Sequence, residues 1–217
     1  MKTKREIQIT VDILMPCILL LQMSYSIAGE LIHEILGVSL FVLFVLHHVF
    51  SAGFSKGLIK GKKTPEKILK TVLDILLTVD ILALIFSAVL VSKHVFVFLG
   101  IDTLSSLGRT IHLLASYWGF ALMGIHLGFH FDFILNKHVK TEKSRKITFS
   151  AIAVLSAAGL FFFIKEGIIK YMLLINRFVF FETTGGLPLF VFKYLLILIM
   201  FVFAGYGIIK TTGRRKV

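Results

Sequence analysis

The sequence predicts an all-α integral membrane bundle of six transmembrane helices, and three observations predict it. First, the 217 residues are 57% hydrophobic, with a mean hydropathy of +0.90, too apolar for a soluble domain unless most of that surface meets lipid. Second, the apolar residues fall into six runs, each near the ~20 residues that a helix needs to cross a bilayer. Third, basic residues gather in the connections between runs, on alternate sides, as membrane insertion selects.

In order, the runs are Ile7 to Ala28, Leu31 to Phe54, Ile68 to Val91, Thr110 to Leu135, Ile147 to Ile164 and Leu187 to Ile209. The first follows a basic MKTKR and has Ser26-x-Ala28 ahead of Gly29, so a cleaved signal peptide is one reading. Its length and the intervening Asp12 favour a retained helix, bent at Pro16. The second and fourth runs carry histidines, the third carries Asp74 and Asp80, and the fifth and sixth are plain spans. Between those two, Glu166 to Pro188 reads as a longer connection on the outer side, with KYMLLINRFVFF as an amphipathic helix in the interface and Gly185-Gly186 ending it. It carries Glu166, Arg177 and Glu182. Residues 1–135 then form a four-helix core and 136–217 add two helices.

Of the 24 lysines and arginines, 18 lie at the start, between Lys56 and Lys70, between Lys137 and Lys146, and after Ile209. The positive-inside rule puts both termini in the cytoplasm, which makes the second and fourth spans parallel. The net charge of +12 follows from this placement and does not call for nucleic acid. Cys17 is the one cysteine, so an intrachain disulfide and a C-x-x-C-H haem attachment are both excluded. No nucleophile stands at a recognisable spacing from a base.

His33 and His47 are fourteen residues apart in the second span, and His112 and His126 are fourteen apart in the fourth. Fourteen residues make nearly four helical turns, so each pair shares a face with about 21 Å between its members. On parallel helices His33 matches His112 near the outer side and His47 matches His126 near the inner side. Histidine on both faces of a macrocycle gives a six-coordinate iron suited to electron transfer. Two b-type haems held by coordination and packing are therefore expected. The alternative for each histidine is a polar group hydrogen-bonded to a neighbouring helix. Small residues near the expected ring faces, Gly37, Ser116 and Gly119, with Gly124 and Gly128 further along span four, fit a haem and also fit ordinary helix packing.

The inner ligands must be chosen among four histidines, because His48 adjoins His47 and His130 lies one turn beyond His126. His47 is rotated about −40° from His33, and His126 by the same amount from His112, which favours that pair. His48 and His130 then serve a propionate, a quinone or a further cofactor, or are interfacial histidines. Arg109, one turn before His112, is placed to meet a haem propionate or to mark the membrane boundary. For Asp74 and Asp80 three roles stand side by side: a proton relay, a partner to a histidine's second ring nitrogen, or a structural hydrogen bond. Asp132 reads as an interface residue, and His94 and His138 receive no role.

The combination of H-E-x-x-G at His33 to Gly37, H-H at His47 and His48, R-x-x-H at Arg109 to His112, Tyr117-Trp118-Gly119, and H-L-G-x-H at His126 to His130 resembles the flavinylation-associated cytochromes of prokaryotic membranes. The resemblance covers roughly residues 1–135. It implies haem b ligands at His33, His47, His112 and His126, and electron transfer from quinol or a reductase to a flavin-bearing protein outside the cytoplasmic membrane. Ser51 and Phe54 stand where that group has Asn and Trp. A ferric-reductase-like membrane module working with a separate reductase subunit, and a proton-coupled transporter without haem, are the competing expectations, and an anchor subunit without a substrate site is a third.

Overall fold

A computed structural model describes residues 2–59, 63–101, 105–178 and 185–214. Every regular element in it is helical: α1 (Lys2–Gln22), α2 (Tyr25–Ala28), α3 (Glu30–Ile59), α4 (Pro65–Val91), a single 3-10 turn at Val97–Leu99, α5 (Ser105–His138), α6 (Glu142–Lys165), α7 (Ile168–Met172) and α8 (Gly186–Arg214). Local chemistry sets several of these boundaries. Thr64 and Thr141 cap α4 and α6, each hydroxyl accepting a backbone N–H three residues on, at 3.3 and 3.2 Å. Pro65 follows the first cap, where its missing N–H costs nothing. Gly29 and Gly167, at φ +86° and +64°, end α2 and separate α6 from α7.

Among the described residues, five helices are long and apolar enough to cross a membrane: α3 over Glu30–Ser51, α4, α5 over Ser106–Phe133, α6, and α8 over Gly186–Gly213. The expected first span does not join them. The chain from Ile7 to Ala28 is divided by a turn at Met23 and Ser24, and α1 carries four charges in its first turns and Asp12 within its apolar run. The helix continues through Pro16. The outer connection also departs from expectation. Over residues 166–178 the helical part is α7, and it is docked inward rather than laid along the interface, with Ile168, Tyr171 and Met172 all buried. Glu182 lies outside the described residues, as do Arg215 and Lys216.

α5 is the centre of the molecule, packed between α4 and α8, while α6 covers the far side of α8. Glycine permits the closest of these approaches: a Cβ on Gly128 would strike the Val202 carbonyl and stand 2.7 Å from the Tyr206 nitrogen, and one on Gly205 would stand 2.8 Å from Ile125 Cα. Small residues at crossing points are how helices associate where lipid removes the hydrophobic drive. α1 packs along α3, and this pair joins the block more sparingly, through α4 and α8. The α3 and α5 backbones scarcely approach one another over the described residues.

Candidate functional site

The space between α3 and α5 is a cavity of about 130 Å³ walled by α1, α3, α4 and α5. His33 and His112 line it from opposite sides, with ring centroids 5.9 Å apart at an interplanar angle of 73°. The expected first pair is thus brought together. Gly37, Ser116 and Gly119 line the same space, as does Ala88. A Cβ on Gly37 would lie 2.9 Å from Gln22 Nε2, and one on Gly119 would overlap the Asp80 carboxylate. Gln22 Oε1 and Asp80 Oδ2 are buried without a hydrogen-bond partner at this cavity, a costly state for polar groups in apolar surroundings.

Each imidazole of the pair is oriented by a group from another helix. His33 Nδ1 lies 3.1 Å from the Gln22 backbone carbonyl, at the end of α1. His112 Nδ1 lies 3.1 Å from Ser87 Oγ on α4. Ser87 is fully buried, and its hydroxyl donates to the Leu84 carbonyl at 3.0 Å, leaving a lone pair for His112. A carbonyl only accepts, and a hydroxyl whose proton is committed elsewhere also accepts, so both histidines carry their proton on Nδ1. The lone pair is then on Nε2 in both rings.

The second pair has the same device with different chemistry. His47 Nδ1 donates to Asp12 Oδ1 at 2.7 Å, between α3 and α1. His126 Nδ1 stands 3.1 Å from Asp74 Oδ1, between α5 and α4. Asp12 accepts, so His47 has its free lone pair on Nε2, whereas His126 meets Asp74 as a close ion contact rather than a hydrogen bond. Of the three roles open to Asp74 and Asp80, Asp74 takes that of histidine partner and Asp80 does not. The His47 and His126 rings are not in direct contact, although His130 lies within electrostatic range of His126, His47, Asp74 and Lys70. His130 lies 4.9 Å from His126 with its ring tilted by 52°, and His48 stands 5.5 Å from His47. His48 directs Nδ1 to the Phe44 carbonyl of its own helix, 3.0 Å away. It is exposed.

The other expected residues fall at the margin. Arg109 is exposed at the start of α5, near enough to Lys93 to act on it electrostatically. Tyr117 and Trp118 belong to the packing of α7 rather than to the cavity: Tyr117 stacks on Tyr171 at 4.8 Å, and Trp118 Nε1 donates to the Met172 carbonyl at 2.9 Å. Asp132 pairs with Lys210 at 2.6 Å and Arg145 at 3.5 Å, tying the ends of α5, α6 and α8. Ser51 accepts from Gln8 at 3.4 Å, and the Phe54 side chain lies outside the described residues.

Beside the cavity, Glu34 gathers the chain that leaves α4. Its carboxylate accepts from Ser92 Oγ at 2.7 Å and from the backbone nitrogens of Lys93, His94 and Val95 at 2.8, 3.2 and 2.8 Å. Lys93 Nζ also binds Glu30 at 2.5 Å, and this contact raises the ammonium above its ordinary pKa. Burial, then the hydroxyl's bond to Glu30 at 3.0 Å, raises Tyr25, whose ring meets His33 edge-on.

Spacing alone did not reveal Asp12, Gln22 and Ser87. Asp12 offered a signal, since an ionisable residue in an apolar run calls for a partner. Gln22 acts through its backbone and offered none. Among the described residues there is no group of three or more His, Cys, Asp or Glu close enough to hold a metal ion by themselves. Comparison with protein-family models, with curated proteins and with solved structures gives no match for this chain.

Proposed function

We propose that this chain is a membrane electron carrier that holds two b-type haems, one between His33 and His112 and one between His47 and His126. The observation that carries the reading is the orientation of the four imidazoles. Each has its Nδ1 facing a group from another helix, by hydrogen bond at His33, His112 and His47 and by ion contact at His126, an arrangement that would leave Nε2 to bind a metal, as outer partners of ligating histidines do. A metal ion bound at about 2.0–2.1 Å by each of two imidazoles separates their ring centroids by roughly 6 Å, and the 5.9 Å between His33 and His112 fits that requirement. Two ligands suffice for an iron whose other four positions a macrocycle fills, so a cluster of three protein ligands is not needed.

Bound there, haem would supply one-electron redox chemistry without an open position for substrate. The chain's residues supply the rest. Gly37 and Gly119 keep the helix surfaces flat beside the ring, Gln22 Oε1 and Asp80 offer polar partners in the cavity, and Arg109 would meet a propionate. His48 and His130 would serve a propionate or a quinone.

In this reading α1 completes a six-span bundle with both termini in the cytoplasm of a prokaryote, by the charge bias of the connections. Electrons come from quinol or a reductase and leave to a flavin-bearing protein outside. Purified, haem-replete protein should show a Soret peak, a reduced α band and two haems per chain, and a preparation lacking the Soret peak would refute the proposal. The orphan Asp80 also favours a second reading, a proton-coupled carrier, which requires colourless protein and transport in vesicles.

A further inference from the structure

The four histidine partners are of two chemical kinds, and they divide by site. His33 and His112 donate to neutral acceptors, the Gln22 carbonyl and the Ser87 hydroxyl. His47 and His126 face carboxylates, Asp12 and Asp74. We propose that Asp12 and Asp74 are positioning residues that set the His47–His126 site at a lower reduction potential than the His33–His112 site, giving the chain a built-in electrical polarity. The inference rests on the two-haem reading above.

A carboxylate draws the Nδ1 proton toward itself and raises the basicity of Nε2. A more basic nitrogen donates more strongly to iron and favours the oxidised, more positive state, and hydrogen bonding to ligands is one of the levers that set such potentials. A carbonyl or hydroxyl acceptor does the same far more weakly. The two negative charges act in the same direction through space, at contacts of 2.7 and 3.1 Å from their rings.

The other charged groups near the two sites do not reverse the order. Lys70 is near the second site, where it acts on His130. Glu34 neighbours His33 in sequence, yet its charge is taken up by three backbone N–H groups and the Ser92 hydroxyl. Asp80 shares the cavity of the first pair without a hydrogen bond to either ring. Electrons pass spontaneously toward higher potential, so the polarity runs from the site of His47 and His126 toward that of His33 and His112. With the expected orientation, that is outward from the cytoplasmic side.

Redox potentiometry on haem-replete protein, read at the α band, tests the assignment. The unmodified chain should give two midpoints. H112A should leave only the lower and H126A only the higher, which assigns each to its site. D74N and D12N should each raise the lower midpoint and leave the higher in place, D74E should keep it low, and S87A should move only the higher. If D74N loses its haem, D12N provides the same comparison. A reversed order, a single shared midpoint, or D74N and D12N leaving both midpoints unchanged would overturn the proposal. In the haem-free chain, ring 15N resonances should show His47 and His126 protonated on Nδ1, and finding either protonated on Nε2 would also overturn it. Absence of haem from every preparation refutes the underlying function, whereas two haems in the wrong order refute only the polarity.

Discussion

His112 has the most fully specified surroundings of the four histidines, because a buried hydroxyl fixes one nitrogen and the cavity receives the other. His112→Ala should therefore halve the haem content per chain, as should His33→Ala, while His48→Ala and His130→Ala retain both haems. Pyridine haemochrome titration of the purified variants checks all four. Gly119→Val should also cost the haem of that site, because its side chain would occupy the position of the Asp80 carboxylate and the cavity wall. At this scale the sequence was legible where a residue's role follows from its own helix. Fourteen-residue spacing on parallel helices predicted the meeting of His33 with His112, whereas the rings of His47 and His126 do not come into contact. It could not predict that Ser87, Gln22 and Asp12 would be the orienting groups, since those contacts depend on how α4 and α1 pack against their neighbours.

Between elements, the segment after α4 hangs on one side chain. Glu34→Ala would strand three backbone N–H groups and a hydroxyl that now share a carboxylate, and hydrogen bonds to a charged group contribute about 1.5–3 kcal/mol each. Amide exchange at Lys93 to Val95 should rise by about tenfold or more, measurable by hydrogen exchange with mass spectrometry. The neighbouring Lys93 to Glu30 pair has a definite pH dependence. Its lysine is raised by the fold, so its contribution is complete below the ordinary lysine pKa and is lost as pH rises through the raised value. The contribution of this pair to the protection of the segment should therefore persist through neutral pH and decline in the alkaline range. On the other side of α5, Gly128→Leu should lower stability by about 1–3 kcal/mol or more, because side-chain atoms would be forced into the α8 backbone. A lower unfolding midpoint in detergent checks it. Five apolar runs became helices that start and stop within a few residues of expectation, since composition and capping residues decide them locally. The first run and the outer connection did not, because a turn at Met23 and Ser24 and the inward docking of α7 arise from contacts outside those segments.

For the whole molecule, the side that each end occupies decides the number of crossings. Basic connections predict that both termini face the cytoplasm, which requires α1 to cross with the five longer helices. Phosphatase and fluorescent-protein reporters at each end should agree with one another, both fluorescent and both without phosphatase activity. Termini on opposite sides would mean five crossings and an α1 that lies elsewhere.

The loose attachment of the α1–α3 pair bears on how such a molecule is made. The helices α4, α5, α6 and α8 form a continuous block with interlocked glycines, whereas α3 meets α5 across a cavity and leans on α1 along its length. A hairpin attached in this way can swing aside without unmaking the block. If the proposed haem occupies that cavity, it lies on the seam between the two units, and its binding would tie the hairpin to the block.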